Sequence, residues 1–247
     1  MQSMELITGF FNEILFRPIF NLLVWTYNVI PGHDFGVAII LVTLLLRFLL
    51  YPLSDKALKA QKKLQELQPQ LKELQKKYKT KEDQAKAVME FYKTHNANPF
   101  SGCLPIVIQL PILIALYRVF LVGLEPHSLD MLYPFIHNPG EINPVFLGVM
   151  DMSKPSWILA ILAGLAQFLQ AKTAYMPNSA LGGSSTDFAK SMGQSMVYMM
   201  PLFMIFISWK MPAGLPLYWI ITMLFSVAQQ LIVHKKINFN LWKRRKS

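Results

Sequence analysis

A nearly unbroken apolar run, FGVAIILVTLLLRFLLYPL, occupies residues 35–53. A helix needs about 20 such residues to cross the hydrocarbon core of a bilayer, so this run predicts a membrane span. Four further runs are apolar enough to be spans: Cys103–Leu124, Trp157–Ala171, Met196–Trp209 and Leu215–Val233. The third and fourth of the five spans are short, and they would need a thinner bilayer or flanking residues to cross it.

The composition agrees with a membrane protein. Hydrophobic residues make up 53% of the chain and charged residues 15%, whereas an ordinary soluble domain carries roughly 25% charge. Such hydrophobicity excludes a disordered chain, and too little polar surface is left to cover a water-soluble globule. We therefore predict an all-α polytopic membrane protein, with five transmembrane helices around a polar groove and a cytoplasmic antiparallel helical hairpin.

Basic residues are distributed very unevenly along the chain. Residues 55–98 hold eleven lysines, residues 172–195 hold two, and six Lys or Arg residues follow Val233. The positive-inside rule places these three segments in the cytoplasm. The N-terminus is then outside and the C-terminus is cytoplasmic, so the net charge of +10 is mainly a signal of topology.

These boundaries divide the chain into seven regions. In order they are an outer amphipathic helix and turn (1–34), a first span (35–53), a cytoplasmic hairpin (54–98), a second span (99–124), an outer loop (125–156), spans three to five with a cytoplasmic loop at 172–195 (157–234), and a basic cytoplasmic tail (235–247). The outer loop is rich in Pro and Asn, so we expect it to be irregular.

The first region has one polar face. Glu13, Arg17 and Asn21 recur every four residues among apolar neighbours, which is typical of a helix lying in the plane of the membrane interface. Pro18 predicts a kink in that helix. The segment lacks the basic start and the cleavage site of a signal peptide. A sixth span is the alternative.

The cytoplasmic region is polar but strongly patterned. Apolar side chains alternate by three and four from Ala57 to Tyr78, with Pro69 as a predicted kink, and such spacing is typical of a heptad seam. A break at residues 79–81 and a second helix over residues 82–95 predict an antiparallel hairpin. Two interpretations stay open: a self-contained coiled coil, and a docking arm for a substrate or another macromolecule.

Arg47 lies inside the first apolar run. A centred Arg costs roughly 2.5–3.5 kcal/mol on insertion scales, and none of the five apolar runs contains an Asp or Glu to pair with it. An unpaired cation at this depth favours a water-filled cavity. The alternative is an Arg that snorkels towards the interface and is held by backbone carbonyls.

Polar side chains in the other spans are candidates to line the same cavity. Thr43 precedes Arg47 by one helical turn and shares its face, and the fifth span carries a polar stripe with steps of four, four and three. The candidate groove residues are Arg47, Thr43, Gln109, Gln167, Gln170, Tyr218, Thr222, Ser226 and Gln229. One glutamine alone is compatible with interhelical packing, but recurrence in several spans favours a wet interior.

Methionines cluster in and before the fourth span. Flexible thioethers suit a surface that accepts many apolar partners, although they also fill ordinary cores. The candidate apolar slide for a substrate consists of Met196, Met200 and Met204.

Four consecutive basic residues lie in the tail: Lys243, Arg244, Arg245 and Lys246. They are candidates to contact ribosomal RNA, because phosphate binding by Lys and Arg is the usual basis of salt-sensitive nucleic-acid association.

Catalytic signatures are absent from the sequence. The chain has no HExxH, GxSxG or glycine-rich phosphate loop. A single cysteine, Cys103, excludes a multi-cysteine metal site. We therefore expect no enzyme activity, no metal and no cofactor.

Three blocks carry a resemblance to a known family: LVTLLLRFLLYPLSDKALKAQKKLQELQP (residues 41–69), NPFSGCLPIVIQLPILIALY (residues 98–117) and MPAGLPLYWIITMLFSVAQQLIV (residues 211–233). The chain resembles the YidC family of membrane protein insertases, which includes the mitochondrial oxidase-assembly and chloroplast Albino relatives. The resemblance covers nearly all of the chain after residue 15.

The resemblance implies five core spans, an outer amphipathic helix and a cytoplasmic hairpin, and it weakens the sixth-span alternative. It also implies that Arg47 is the family's charged groove residue, with Thr43 one turn before it and Gln109 in a matching block. The likeness is to the short bacterial type, without a leading span or a large outer domain. Cys103 is not at a lipidation position, so we expect no lipid anchor.

Together these features predict an insertase that moves hydrophobic segments of nascent proteins from the cytoplasm into the bilayer. The route is a hydrated groove containing the Arg47 cation, and no nucleotide is hydrolysed. The expected location is the bacterial plasma (inner) membrane, and the expected partners are nascent membrane proteins and the lipid bilayer. Further candidate partners are the ribosome, the signal recognition particle pathway and the Sec translocon.

Two other functions compete with this hypothesis. A transporter or channel using the same cavity would show internal repeats or a coupling acid, and we find neither in the sequence. A membrane-anchored coiled-coil scaffold would explain the hairpin, but it leaves Arg47 and the polar stripe without a purpose.

Overall fold

The computed structural model of the chain describes residues 9–78, 80–98, 104–123, 126–174 and 187–244. Most of these residues are helical, in eight α-helices. The helices are α1 (Arg17–Val29), α2 (Phe35–Leu49), α3 (Tyr51–Lys76), α4 (Lys81–Thr94), α5 (Leu104–Val122), α6 (Trp157–Ala174), α7 (Asp187–Ser208) and α8 (Gly214–Arg244). A short π-helix, Asn12–Phe16, precedes α1.

A sharp bend separates α2 from α3. The two helices meet at Leu50 at an angle of 62°, so the first apolar helix ends at Leu49 rather than at the predicted residue 53. Pro52 lies in the first turn of α3. Because proline has no N–H, it cannot continue the hydrogen-bond ladder of α2.

Length and apolarity distinguish the helices as candidate spans. Among the described residues, Gly214–Val233 is the one stretch that is long and apolar enough to cross a bilayer alone, and the bent pair of α2 and α3 makes a second if it is counted as one span. Three other apolar helical stretches are shorter: Val107–Leu121, Trp157–Thr173 and Val197–Ser208. The five-span arrangement therefore stays a prediction.

Two helices extend beyond the apolar runs that predicted them. Helix α7 begins at Asp187, inside the predicted loop 172–195, and α8 continues to Arg244, inside the predicted tail. Polar residues continue both helices because helix propagation needs only backbone hydrogen bonds and tolerates Lys, Gln and Ser.

A hydrophobic core cluster joins α1, α2, α5 and the start of α8. Phe20, Phe35 and Phe120 are all buried in it, and the rings of Phe35 and Phe120 pack edge to face with their centroids 6.1 Å apart. A Cβ at Gly214 would overlap the Phe120 ring. Glycine therefore allows α8 to begin directly against α5.

Helix α1 uses its polar face differently from the prediction. Asn21 is buried, its amide nitrogen donates to the Met131 carbonyl at 3.1 Å, and its amide oxygen accepts from Tyr133 N–H at 2.6 Å. Arg17 Nε also donates to the Met131 carbonyl, at 3.1 Å. The stripe thus binds backbone groups of the loop at residues 131–133, because such groups need partners when the loop folds over a helix.

Pro18, the predicted kink position, does not interrupt the helical segment, because α1 follows the π-helix directly. It lies at the first turn of α1, directly after the π-helix. This position suits proline, because the first N–H groups of a helix have no partner within it.

The segment predicted as an irregular outer loop contains short ordered elements. A 3₁₀-helix covers Pro126–Met131, and strands β1 (Val145–Phe146) and β2 (Met150–Asp151) form an antiparallel hairpin that pairs Val145 with Asp151. Strands of two residues are too short to give an alternating pattern in the sequence.

Helices α3 and α4 contact each other across a short connection. Lys63 Nζ donates to the Asn96 carbonyl at 3.1 Å, and Gln84 Nε2 donates to the Gln75 carbonyl at 3.1 Å. Thr80 caps α4 by accepting from Asp83 N–H. Pro69 lies inside α3 without ending it.

Candidate functional site

Three of the predicted groove residues form one hydrogen-bonded cluster. Arg47 on α2 donates from Nη2 to Oε1 of Gln109 on α5 at 3.2 Å. The amide nitrogen of Gln109 in turn donates to the hydroxyl of Tyr218 on α8. We call these three residues the Arg47 cluster, and it joins helices that lie far apart in the sequence.

The Arg47 cluster solvates a cation with neutral groups. Tyr218 is buried, whereas Arg47 and Gln109 are half-buried. Within the described part of the chain, no carboxylate forms an ion pair with Arg47. The guanidinium has five N–H donors, so its remaining donors are available to an anionic or polar group that reaches the cluster.

Two hydroxyl residues of the predicted lining, Thr43 and Ser226, bond to carbonyls of their own helices. Thr43 is buried, and its hydroxyl donates to the Ile39 carbonyl at 2.6 Å. Ser226 donates in the same way to the Thr222 carbonyl at 2.8 Å. Hydroxyls bonded to a carbonyl one turn earlier are satisfied within the helix, so these groups contribute less free donor capacity than the stripe pattern predicted.

Gln229 belongs to a second polar contact, between α8 and the start of α3. Ser54 Oγ donates to Gln229 Oε1 at 3.0 Å, and Gln229 Nε2 faces the Tyr51 carbonyl at 3.4 Å. Gln229 is buried. This contact ties the bend between α2 and α3 to α8.

A third polar contact was missed by the sequence reasoning. Thr173 near the end of α6 donates to Oε1 of the buried Gln230 on α8 at 2.8 Å. Gln230 lies beside Gln229, and the run of two glutamines was the available signal. Ser54 was also missed, because its place opposite α8 depends on the bend at Leu50.

The remaining predicted lining residues are less closely connected. Gln167 and Gln170 lie half-buried on α6, and neither takes part in the hydrogen bonds of the Arg47 cluster described above. Of the proposed slide, Met200 is exposed and Met204 is half-buried on α7. The Met196 side chain falls outside the described residues.

The basic tail is described only in its backbone. Helix α8 includes Lys243 and Arg244, whose side chains fall outside the described part, as do residues 245–247 entirely. The ribosome contact therefore stays a prediction.

Arg118, the second arginine of the apolar helices, has a different environment. It donates to Asn12 Oδ1 and lies over the Phe16 ring at 5.1 Å. These partners belong to the π-helix before α1. Arg118 is thus a packing residue between α5 and the N-terminal segment, distinct from the Arg47 cluster.

A mostly helical chain with long apolar segments is typical of a membrane protein. Comparison of its sequence with known families identifies the family. Residues 25–240 match the family model described as 60Kd inner membrane protein. The chain belongs to this family, whose members include the YidC membrane protein insertases.

Individual relatives agree with that membership. The chain is 34% identical over 232 residues to membrane protein insertase YidC 2 of Listeria innocua, covering 92% of this chain and 73% of the relative. It is 36% identical over 204 residues to the Fusobacterium nucleatum YidC insertase, covering 82% and 87%. With the Wolinella succinogenes YidC insertase it shares 36% identity over 222 residues, which is 90% of this chain but 37% of that relative.

A solved structure supports the same fold. The crystal structure described as an active YidC insertase with its first transmembrane domain resolved matches with a TM-score of 0.57 and 28% sequence identity. The match covers 86% of this chain and 45% of that one. The helical fold and the transmembrane character of the chain therefore agree with the family.

Proposed function

We propose that this chain is a membrane protein insertase, and that the Arg47 cluster is the part of it that receives the polar flank of a substrate. The observation that carries the proposal is a cation among apolar helices that donates to the neutral amide of Gln109, which in turn donates to Tyr218. The names of the relatives support the same activity.

The free energy of moving a charge through lipid explains why such a cluster helps. An Asp at the centre of a bilayer costs about 2.5–3.5 kcal/mol on insertion scales. A fixed cation with unused donors stabilises an acidic flank part-way across, because charge-assisted hydrogen bonds replace lost water. The barrier to translocation of that flank falls accordingly.

The apolar part of the substrate leaves the groove sideways into lipid. Exposed Met200 and half-buried Met204 on α7 are the slide residues in this proposal, with Met196 as the third. Burial of the substrate's own apolar residues is favourable at roughly 25 cal/mol per Å². This free energy drives insertion, so no nucleotide hydrolysis is required.

The proposed topology has five spans and follows the seven regions defined from the sequence. Residues 54–98 and the tail 235–247 face the cytoplasm, and the N-terminus and residues 125–156 face outward, in a bacterial inner membrane. In this arrangement α3 and α4 form the cytoplasmic antiparallel hairpin. The hydrogen bond from Gln84 on α4 to Gln75 on α3, and that from Lys63 on α3 to Asn96 just after α4, support that pairing.

The proposed partners are nascent membrane proteins and lipid, with the ribosome, the signal recognition particle pathway and the Sec translocon as further candidates. The hairpin captures an incoming chain, and the tail binds ribosomal RNA. The net charge of +10 supports association with an anionic partner on the cytoplasmic side.

The test is reconstitution of the full chain into liposomes with a small single-span substrate whose translocated flank is acidic. Protease protection of that flank is measured without nucleotide, for the wild type, Arg47→Ala, and empty liposomes. Arg118→Ala is the matched control, since it removes an arginine from an apolar helix without touching the Arg47 cluster.

We expect protection that depends on the protein, falls in Arg47→Ala and persists in Arg118→Ala. Equal protection in both variants would keep the insertase and remove Arg47 from its mechanism. Protection no greater than in empty liposomes would refute the insertase function. Release of a small trapped solute by the wild type would instead favour a channel.

A further inference from the structure

The tip of the β1–β2 hairpin exposes apolar residues that nothing in the proposed mechanism uses. Leu147 and Val149 are 67% and 87% exposed. Gly148 lies between them, and residues 142–150 contain no charged side chain. We call residues 147–149 the hairpin tip.

The turn at the hairpin tip would normally favour polar residues. Val149 N–H donates to the Phe146 carbonyl at 3.0 Å, so Leu147 and Gly148 are the central pair of a tight turn. Their φ angles are +50° and +71°. Two-residue hairpin turns with both φ angles positive favour Asn-Gly or Asp-Gly, and Leu pays a steric penalty in this left-handed region.

Leu147 is therefore disfavoured both by its backbone conformation and by its exposure to water. Asn in its place would relieve both penalties. Leu is more favourable than Asn at this position only if the tip lies in an apolar environment, because burial of the Leu side chain then offsets the backbone strain.

The hairpin tip is fixed at the end of a membrane helix. Leu147 N–H donates to Oδ2 of Asp34 at 2.6 Å, and Oδ1 of the same carboxylate caps α2 by accepting from Val37 N–H at 2.9 Å. A Cβ at Gly36 would overlap the Phe146 ring, so β1 lies directly on the first turn of α2. The tip is thus level with the first residues of this apolar helix.

The other end of the hairpin is held at the same end of the bundle. Gly214 N–H, at the start of α8, donates to the Met152 carbonyl at 3.0 Å. Trp157 begins α6 and Trp209 directly follows α7, and both side chains are 62% exposed. Tryptophan favours the boundary between headgroups and acyl chains, so this end of the bundle has the composition of a membrane interface.

We propose that the hairpin tip inserts into the headgroup–acyl boundary of the lipid layer at the α2 start, and so anchors residues 142–152 to the membrane surface. Lipid is the occupant that fits, because the tip is apolar, uncharged and level with the helix end, and because exposed Trp157 and Trp209 lie at the same end of the bundle. The anchor then holds Asp34 and the first turn of α2 at a fixed depth. It rests on the membrane position proposed above for α2, and not on insertase activity.

The test measures the depth of a fluorophore in proteoliposomes. Val149→Cys in a Cys103→Ser background is labelled with an environment-sensitive dye, and vesicles of phosphatidylcholine and phosphatidylglycerol carry nitroxide quenchers either near the headgroup or deep in the acyl chain. Glu141→Cys, an exposed position in the same loop, is the aqueous control. Leu45→Cys, exposed in the second half of α2 and about three turns from its start, is the deep control.

We expect the Val149 label to show blue-shifted emission and to be quenched most by the shallow nitroxide, while the Glu141 label is unaffected. A Val149 label that behaves like the Glu141 label, with Leu45 quenched by the deep nitroxide, would overturn the anchor alone. If the Leu45 label is not quenched, the membrane position of α2 and the anchor both fail. Quenching at Val149 only by a spin-labelled second copy would show a protein partner instead of lipid, and would also overturn the proposal.

A second variant separates anchoring from folding. Leu147→Asn suits the positive φ and removes the apolar side chain, so the protein should remain folded in detergent with an unchanged or higher Tm. In vesicles, the Val149 label should lose its shallow quenching. Unchanged quenching in this variant would show that Leu147 does not anchor the tip. Insertion of substrate by the same vesicles reports the insertase function separately.

Discussion

Arg47 Nη2 lies 3.2 Å from Gln109 Oε1, so the charge on α2 is met by a neutral amide from α5. A carboxylate at this position would have cancelled the charge and closed the site. An amide orients the guanidinium while leaving its charge uncompensated, and so leaves it able to attract an anion.

The sign of the charge at residue 47 should determine which substrates insert. Arg47→Glu is expected to slow insertion of a single-span substrate with an acidic flank by about tenfold, which corresponds to roughly 1.4 kcal/mol of lost stabilisation. The same variant should speed insertion of a substrate with a basic flank. Initial rates of protease protection in liposomes measure both effects.

Arg47→Lys is the matched control, since it keeps the charge and loses the planar donor geometry. It should retain most of the preference for acidic flanks. Equal effects of Arg47→Glu on acidic and basic substrates would mean that the residue acts through folding, which Tm in detergent would reveal.

Tyr218 should act by orienting Gln109. Tyr218→Phe keeps the buried ring but removes the acceptor for the Gln109 amide, so the amide is freer to turn away from Arg47. A lost hydrogen bond of about 0.5–1.5 kcal/mol predicts a decrease of roughly two- to tenfold in insertion of acidic-flank substrates.

Coupling between the two side chains provides the check. Gln109→Ala and Tyr218→Phe should together cost less than the sum of their separate effects, because both act through the same contact to Arg47. Additive effects would show that Tyr218 contributes independently of Gln109.

The sequence identified the members of the Arg47 cluster as candidates but did not predict how they are connected. Arg47 and Gln109 were identifiable because a charge or an amide within an apolar run is costly to bury and therefore marks a candidate functional position. Their pairing could not be predicted from the sequence, because it depends on how α2, α5 and α8 pack. The spacing of residues within one helix carries no information on that packing. Thr43 and Ser226 fell on the predicted faces, yet both bond to their own helices.

The mostly helical character of the fold was predicted from the sequence. The structure differs from the prediction at places that depend on tertiary packing. Apolar runs located helices α2, α5, α6, α7 and α8, but the bend at Leu50 and the polar extension of α7 lie outside any hydropathy pattern. The polar face of α1 was visible as a stripe, whereas its use in binding the Met131 carbonyl depends on a loop more than 100 residues later in the chain.

Gln229 should hold the base of α3 in place. It is buried and bonded to Ser54, so Gln229→Met, of similar size, removes this contact and leaves the Ser54 hydroxyl bonded to the Tyr51 carbonyl within α3. The expected cost is about 0.5–1.5 kcal/mol of stability, with faster hydrogen exchange in the first turns of α3. Hydrogen exchange by mass spectrometry in nanodiscs measures this change.

Ser54→Ala serves as the complementary variant. It removes the other side of the contact, so the double variant should exchange no faster than Gln229→Met alone. Unchanged exchange at the start of α3 in Gln229→Met would show that packing at the bend, and not this contact, holds the helix.

The tail should give ribosome association its salt dependence. Replacing Lys243, Arg244, Arg245 and Lys246 by Gln removes four positive charges. Each phosphate contact contributes about 0.7–0.9 to the slope of log K against log salt, so binding should weaken and its slope should flatten. Cosedimentation of ribosomes with the protein in detergent, across a salt series, measures both quantities.

The matched control changes equal charge elsewhere. Gln at Lys56, Lys59, Lys76 and Lys77 removes four positive charges from α3 and its end. This variant should leave the slope near the wild-type value if the tail is the contact. Equal flattening by both variants would show that the ribosome responds to overall charge.

Gly164 should be required for close packing of α6 against α7. A Cβ at this position would overlap Ile205 Cγ1 and lie 3.1 Å from the Pro201 carbonyl oxygen, so Gly164→Val forces the helices apart. Overpacking of this kind costs about 1–3 kcal/mol, and Tm in detergent should fall. Gly9→Ala is the control, because no atom lies within 4 Å of its added Cβ, and it should leave Tm unchanged.

Ile205→Ala should partly restore the Tm of Gly164→Val by vacating the space that the new side chain occupies. No recovery in that double variant would place the strain at the Pro201 carbonyl and not at the Ile205 side chain.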